Sequence, residues 1–564
     1  MRPFLLLAAL AISIMIVGIW LWPSSRLQGP IADLQDRLFA PHTDAPPPSV
    51  PFRSQGVEVA CDDRYSSWRA AREIEGVQIK ESPLCRPDSP EEIAAFVKGT
   101  NVISQSVLMK TALGPTSVVK SNDKDGDGDP DEIVIRLEAI ELNGRSNDML
   151  EPFPMYDVGP GIRPTFWVFA PKTRGMATEN FESLQAKSLL RAPAPVIRIE
   201  QGDSLKVILE NTHYLPHTIH FHGVDHPFLT HLGEGNDGVP QASELPVMPG
   251  ESRTYELTPR QTGTMFYHCH VQPNVHVMMG LQGMLVVEEN RPDNWLQSLN
   301  VGAGHVRAPS RSSRARYDKE YDMHYQDMDE SLSQLARSAN DPRLIAQATN
   351  RTYDSTAPSA LPEFFLLNGR SFPYTLRESL VVVGENQKVK IRVLNGGSEG
   401  ISLHTHGHKV TVTHEDGVQV KEARQSIRDV VWIGPAQRTD LLLQTKNDGL
   451  HSYGPGIWLI HDHKPKGITT RGINPGGNIS AIVYEQFLGL NAMPLARGVS
   501  LRPFFNEAYY RKEIPVWSGL KDELLLGQVQ PLAPRWFGLL SLALAIGLIL
   551  GGIVAFVSRG VGKK

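Results

Sequence analysis

Two stretches of this 564-residue chain carry the same pattern of paired histidines, and that repeat limits the fold more than any other feature. The first contains Val196–Ile199 and Leu205–Leu209 around a glycine turn. It then reaches His220-Phe221-His222-Gly223 and ends near His268-Cys269-His270. The second contains Val381–Val383 and Val389–Val393 around another glycine turn, reaches His404-Thr405-His406-Gly407, and ends near His461-Asp462-His463. Apolar residues alternate or run together between turn signals in both, which is the pattern of strands. A long internal repeat of strands predicts an all-β chain built from two β-sandwiches.

Side chains alternate faces along a strand. The two imidazoles of each His-x-His pair therefore share a face, and Cys269 points away from His268 and His270. A lone histidine on an apolar strand is usually a satisfied core residue. Four pairs in a chain with only 19 histidines, two of them followed by glycine, do not fit that explanation. Imidazole suits copper, and a thiolate with two imidazoles and a weak axial group is the blue-copper donor set. Eight paired imidazoles can hold three more coppers with positions open to dioxygen. The His-Cys-His segment would join the two kinds of site through a few covalent bonds.

These motifs resemble those of the multicopper oxidases, specifically the two-domain, laccase-like kind, over about residues 130 to 486. His217-x-x-His220-x-His222-Gly223 is similar to that family's first histidine segment, and His268-Cys269-His270 with His276-x-x-x-Gly280-Leu281 to its cysteine segment. The resemblance implies two cupredoxin-like Greek-key sandwiches and four copper ions per functional unit. It implies His217, Cys269 and His276 as type 1 copper ligands, with Leu281 in the axial position and not ligating. Met278 and Met279 lie close enough to compete for that place. It further implies His220 and His404 for type 2 copper. The type 3 pair falls to His222, His268, His270, His406, His461 and His463. Ile401 and Asp462 stand where a second type 1 site would need His and Cys, so that site is confined to the first domain. The segment Asp237-Gly238-Val239-Pro240 resembles the family's carboxylate near the cluster, which implies a proton-delivering role for Asp237.

The implied activity is oxidation of a donor (a phenol, a metal ion or a redox partner) coupled to reduction of dioxygen to water. Copper nitrite reductase is the alternative from the same superfamily. It has Asp where this chain has His220 and a small residue where it has His270. A copper-binding or electron-transfer cupredoxin without turnover is the non-enzymatic alternative, and it has no need of the second-domain pairs. Two-domain relatives are trimers, which implies a homotrimer with clusters between subunits.

The remaining features concern setting. Net charge is −5, which gives no basic surface for nucleic acid. Residues 1–25 and 536–557 are apolar enough to cross a bilayer, the first as an anchor or a signal peptide. Positive residues at both ends place the termini in the cytoplasm and the domains in the periplasm or exterior, at the cytoplasmic (inner) membrane. Residues 26–120 form an extracytoplasmic spacer in which Cys61 and Cys85 are read as a disulfide. The expected divisions are 121–290 for the first domain, 291–316 for a linker, 317–487 for the second domain and 488–535 for an extension. The loop Asp123-Lys124-Asp125-Gly126-Asp127-Gly128-Asp129-Pro130-Asp131 begins like a calcium loop, with Asp123, Asp125, Asp127 and Asp131 as candidate ligands.

Overall fold

The computed structural model describes residues 116–144, 156–172 and 190–513, apart from 293, 295, 307–309, 311–316, 340, 358–359, 490–492 and 500, together with four strands of two or three residues between 68 and 83. The two apolar terminal segments, Cys61 and Cys85 lie outside the described residues. Among the described residues no helix is long and apolar enough to cross a membrane. Both sandwiches fall within one compact unit, Pro46–Ala496 with Leu501–Val516.

Each half of the repeat folds into two sheets. In the first sandwich one sheet runs in the order His220–His222, Gly263–His268, Gln282–Glu288, Val196–Glu200, Leu299–Asn300. The facing sheet runs Ser252–Leu257, Ser204–Glu210, Glu132–Leu142, Val118–Ser121, with Phe166–Pro171 also paired to Glu132–Leu142. Alternation sets which side chains fill the space between them. Leu205, Val207 and Leu209 of one strand are fully buried, while the residues between them are only partly covered. They join Ile135, Leu137, Tyr255, Leu285 and Val287 in one core, and Cys269 lies in that same core.

The second sandwich repeats the plan. One sheet runs Val381–Val383, Ser480–Tyr484, Ile457–Asp462, Ile401–Thr405, Val430–Ile433. The other centres on Lys319–Met328, Lys388–Asn395, Arg438–Gln444 and Val410–Glu415. The stretch 291–316, expected to be a plain linker, is partly strand. Leu299–Asn300 adds an edge to the first sandwich and Gly304–His305 adds one to the second. Two helices not anticipated from sequence, Glu330–Ala336 and Pro342–Arg351, follow the second domain's first strand. Their Leu332, Ala336 and Ile345 pack into the core of the first sandwich.

The sandwiches are joined by a contact with an apolar and a charged part. Val196, Phe266, Met284 and Val286 meet Leu394. Beside them, buried Arg392 bonds Glu320 at 2.5 Å, Asp440 at 2.8 Å and, across the contact, Glu288 at 2.6 Å. Arg198 of the first sandwich reaches back to Asp322 at 2.5 Å. Burial alone would raise the Glu320 carboxyl. The Arg392 and Arg198 charges outweigh it and hold that group well below the usual carboxylate range.

Candidate metal centres

The strand pairing places the histidines. Antiparallel register sets His220 opposite His268 in the first sandwich and His404 opposite His461 in the second. The two quartets that result are near copies. His222 Nε2 faces His268 Nε2 at 2.9 Å, and His406 Nε2 faces His461 Nε2 at 3.1 Å. His268 Nδ1 lies 2.9 Å from the Cys269 carbonyl, as His461 Nδ1 does from the Asp462 carbonyl. His268 stacks on His270, and His461 on His463, each with ring centroids 5.8 Å apart. In each pair the neighbour's backbone holds one ring nitrogen, so the other is free to face a metal. Among the described residues, no group of three potential ligand atoms mixes the two quartets.

Cys269 takes the opposite face, inside the core. Its Sγ lies 3.3 Å from His276 Nδ1 and 3.7 Å from His217 Nδ1, and all three residues are buried. Two ligands bound to one ion at about 2.0–2.3 Å stand about 3.3–3.9 Å apart, so these separations suit a single metal. The cysteine hairpin sets the third ligand. After Cys269 the chain turns through the short helix Pro273–His276, and Cys269 N donates to the Leu281 carbonyl at 3.0 Å. Leu281 and Met279 are buried in the same core as Cys269, and Met278 packs against it.

Burial tunes these groups for ligation. It pushes His268 and His276 down to about 3 and His222 down to about 4, so the imidazoles are neutral at ordinary pH with a lone pair available. It pushes the Cys269 thiol up to about 12, a proton that a cation in the site would displace. The His270 Nδ1 is buried without a hydrogen-bond partner, an orphan that a metal ligand role would account for.

Asp237 lies beside the first quartet. Its carbonyl is 2.6 Å from His220 Nδ1, and its Oδ1 is 3.3 Å from the same nitrogen and 3.5 Å from His226 Nε2. Glycine is required next. Gly238 has φ +76°, and a Cβ there would meet the Ile219 carbonyl at 2.1 Å, on the strand entering His220. Glu244 clamps this turn by accepting from Gly238 N at 3.0 Å and from the Tyr255 hydroxyl at 2.8 Å. Glu244 is a residue that the sequence did not single out.

The acidic loop closes on itself. Asp123 accepts from the backbone of Gly126, Asp127 and Gly128, and Asp123, Asp125 and Asp127 bring carboxylate oxygens within 4.8 Å of one another. Asp131 is not in that group. Its Oδ2 accepts from the backbone of Lys124 and Asp125 inside the loop. A second group joins Asp127 to Asp129 and to Glu200 from the neighbouring strand.

Family comparisons point the same way as the motifs. Two models, both described as multicopper oxidase, match residues 190–292 and 339–467. Across these two stretches the chain matches the multicopper oxidase family. The first match spans the first quartet and Cys269, and the second reaches past His463. The chain is similar to the iron transport multicopper oxidase FET3 of Gibberella zeae, with 25% identity over 52% of this chain and 44% of that protein. It is also similar to laccase-13 of Arabidopsis thaliana, with 25% identity over 46% of this chain and 40% of that one. The chain thus spans less than half the length of these curated relatives. Among solved structures, the blue copper oxidase of Nitrosomonas europaea is 24% identical, with a TM-score of 0.45 over 67% of this chain and 93% of that one.

Proposed function

We propose that this chain is a copper-dependent oxidase that takes electrons singly from a donor and delivers four to dioxygen, forming water. The observation that carries this reading is the run His268-Cys269-His270. Its thiol lies in a buried His-Cys-His group, and its first imidazole lies against His220 and His222. Copper bound at the two places would supply the one-electron transfer and the dioxygen chemistry.

In this reading His217, Cys269 and His276 hold type 1 copper, with Leu281 as a non-ligating axial neighbour. His220 and His404 hold type 2 copper. His222, His268, His270, His406, His461 and His463 hold the type 3 pair. Asp237, between His220 and His226, is placed to deliver protons to the site where dioxygen reduction consumes them. The relatives' names cover iron transport and laccases, so a metal ion, a phenol or a redox partner is the donor class to assay. The full quartet in each half favours this reading over a nitrite reductase, whose catalytic copper needs three histidines.

The quartets would meet between subunits of a homotrimer. Both halves of the chain carry uncovered apolar side chains that a monomer has no use for. Leu232 and Leu245 on the first half are 73% and 79% exposed. Trp432, paired in register with Ser402 two residues before His404, is 64% exposed. Head-to-tail contact of one patch on the other closes a ring. A Cys269→Ser chain and a His463→Ala chain, each inactive alone, should recover oxygen uptake when co-expressed. With random mixing about one quarter of the interfaces pair intact halves. Proven mixed trimers that take up no oxygen, or an active monomer, would sink the arrangement.

We also infer that the acidic loop binds calcium through Asp123, Asp125 and Asp127, as a tie on the first sandwich. Chelator should lower the melting temperature by several degrees and added calcium should restore it. A melting temperature indifferent to both would remove calcium from the picture.

A further inference from the structure

Behind the thiol site lies a second buried histidine that the copper assignment does not use. His213 Nδ1 is 2.8 Å from His217 Nε2. On its far side His213 Nε2 faces Glu141 Oε2 at 3.6 Å, beyond hydrogen-bond range, and is buried with no hydrogen-bond partner. The same carboxylate oxygen accepts from Trp167 Nε1 at 2.9 Å and from the Tyr214 hydroxyl. Both His213 and Glu141 are buried. The Tyr214 ring lies over His213 with centroids 3.9 Å apart. Trp167 sits 5.3 Å from His213 and 5.2 Å from His276. The cage restrains both imidazoles from turning.

The tautomers along this line follow one from another. His217 turns Nδ1 toward the Cys269 sulfur, so that nitrogen is the one available to a metal held with the thiolate. Its Nε2 then carries the proton and can only donate. His213 Nδ1 must accept, which leaves the His213 proton on Nε2, facing a buried carboxylate. An uncompensated buried carboxylate is costly. Here two neutral donors meet one oxygen, and the remaining stabilisation would come through the imidazoles from a cation beyond them.

We propose that His213 and Glu141 are positioning residues for His217: the His213 bond fixes its ring and tautomer, and the buried Glu141 carboxylate facing His213 Nε2 lowers, through that imidazole, the reduction potential of the copper His217 would hold. The proposal rests on the copper reading of His217, Cys269 and His276. A carboxylate reached through imidazole makes the ligand more basic and favours the oxidised ion, and outer partners of this kind commonly change metal affinity by about 10–100-fold.

The test is redox titration of the thiolate-to-copper visible band in the full-length, copper-loaded protein. Glu141→Gln removes the charge at nearly constant volume and should raise the midpoint potential with the band retained. His213→Leu should raise it as well. His213→Gln should stay near the unsubstituted value, because its amide can accept from His217 and donate to Glu141. Glu141→Gln carries the test alone if His213→Leu fails to fold. An unchanged potential in Glu141→Gln overturns the proposal. A second readout is side-chain nitrogen NMR of the copper(I) form, where a His213 proton on Nδ1 instead of Nε2 would also overturn it. An unsubstituted protein with no such visible band overturns the copper reading itself, and the proposal with it.

Discussion

Replacing Cys269 with serine is expected to abolish the intense visible absorption of the copper-loaded protein and to cut oxygen uptake by more than about 100-fold, beyond the range seen for outer-shell ligand partners. The reasoning is local. Among the described residues Cys269 is the only cysteine in its core, and its sulfur faces His276 Nδ1 at 3.3 Å and His217 Nδ1 at 3.7 Å. Serine keeps the volume and the backbone bond to Leu281. It is a far poorer ligand for a soft or borderline ion than thiolate. His268 and His270 turn away from Cys269, the second quartet lies in the other sandwich, and both quartets keep their backbone partners, so copper there should be largely retained. Metal analysis should therefore fall by about one copper per chain. A surviving visible band, or loss of all copper, would refute the division into two sites.

How much of this was legible in the sequence depends on the range of the interaction. Strand alternation is a period-two property of neighbouring residues, so the facing of His220 with His222, and of Cys269 away from His268, could be read directly. So could the second-domain strands, such as Val381–Val383 and Arg438–Gln444. The helices at 330–351 were missed although their caps carry a signal. Asp329 accepts from Ser331 N, and Asp341 accepts from Arg343 N with Pro342 in the first turn. The strand periodicity on either side obscures that signal. Glu141 and His213 stand 72 positions apart, and Glu200 lies far from the acidic loop it joins. No local pattern marks such meetings, which arise only when sheets pack. The strands inside 291–316 were hidden for a different reason. Two-residue edge strands have too few side chains to show alternation.

The second large effect concerns what holds the sandwiches together. Replacing Arg392 with methionine keeps much of the apolar volume but leaves Glu288, Glu320 and Asp440 buried without their shared cation. Removing one partner from a buried ion pair costs about 3–5 kcal/mol. At about 2–4 °C per kcal/mol for domains of moderate size, the melting temperature should fall by roughly 6–20 °C at neutral pH. The pH dependence distinguishes this cause from simple loss of packing. Burial raises Glu320 and Asp440, but Arg392 leads the charges that overcome burial and hold both carboxyls low. Their contribution is therefore present above the ordinary carboxylate range and is lost as pH falls through the depressed values. In Arg392→Met, burial acts with less opposition and the same groups shift upward. Their protonated forms are then tolerated at acid pH, and stability falls as pH rises. The gap between the two proteins should be widest near pH 7 and narrow toward pH 4. Thermal unfolding of both proteins across that window measures it. A gap independent of pH would mean that Arg392 acts through packing alone. A gap that does appear has a consequence for the metal centres, since Arg392 Nη1 also donates to the Thr264 hydroxyl at 3.0 Å, on the strand that ends at His268. The charge network and the His-Cys-His segment thus share one strand, and loosening the first should broaden the visible band of the second.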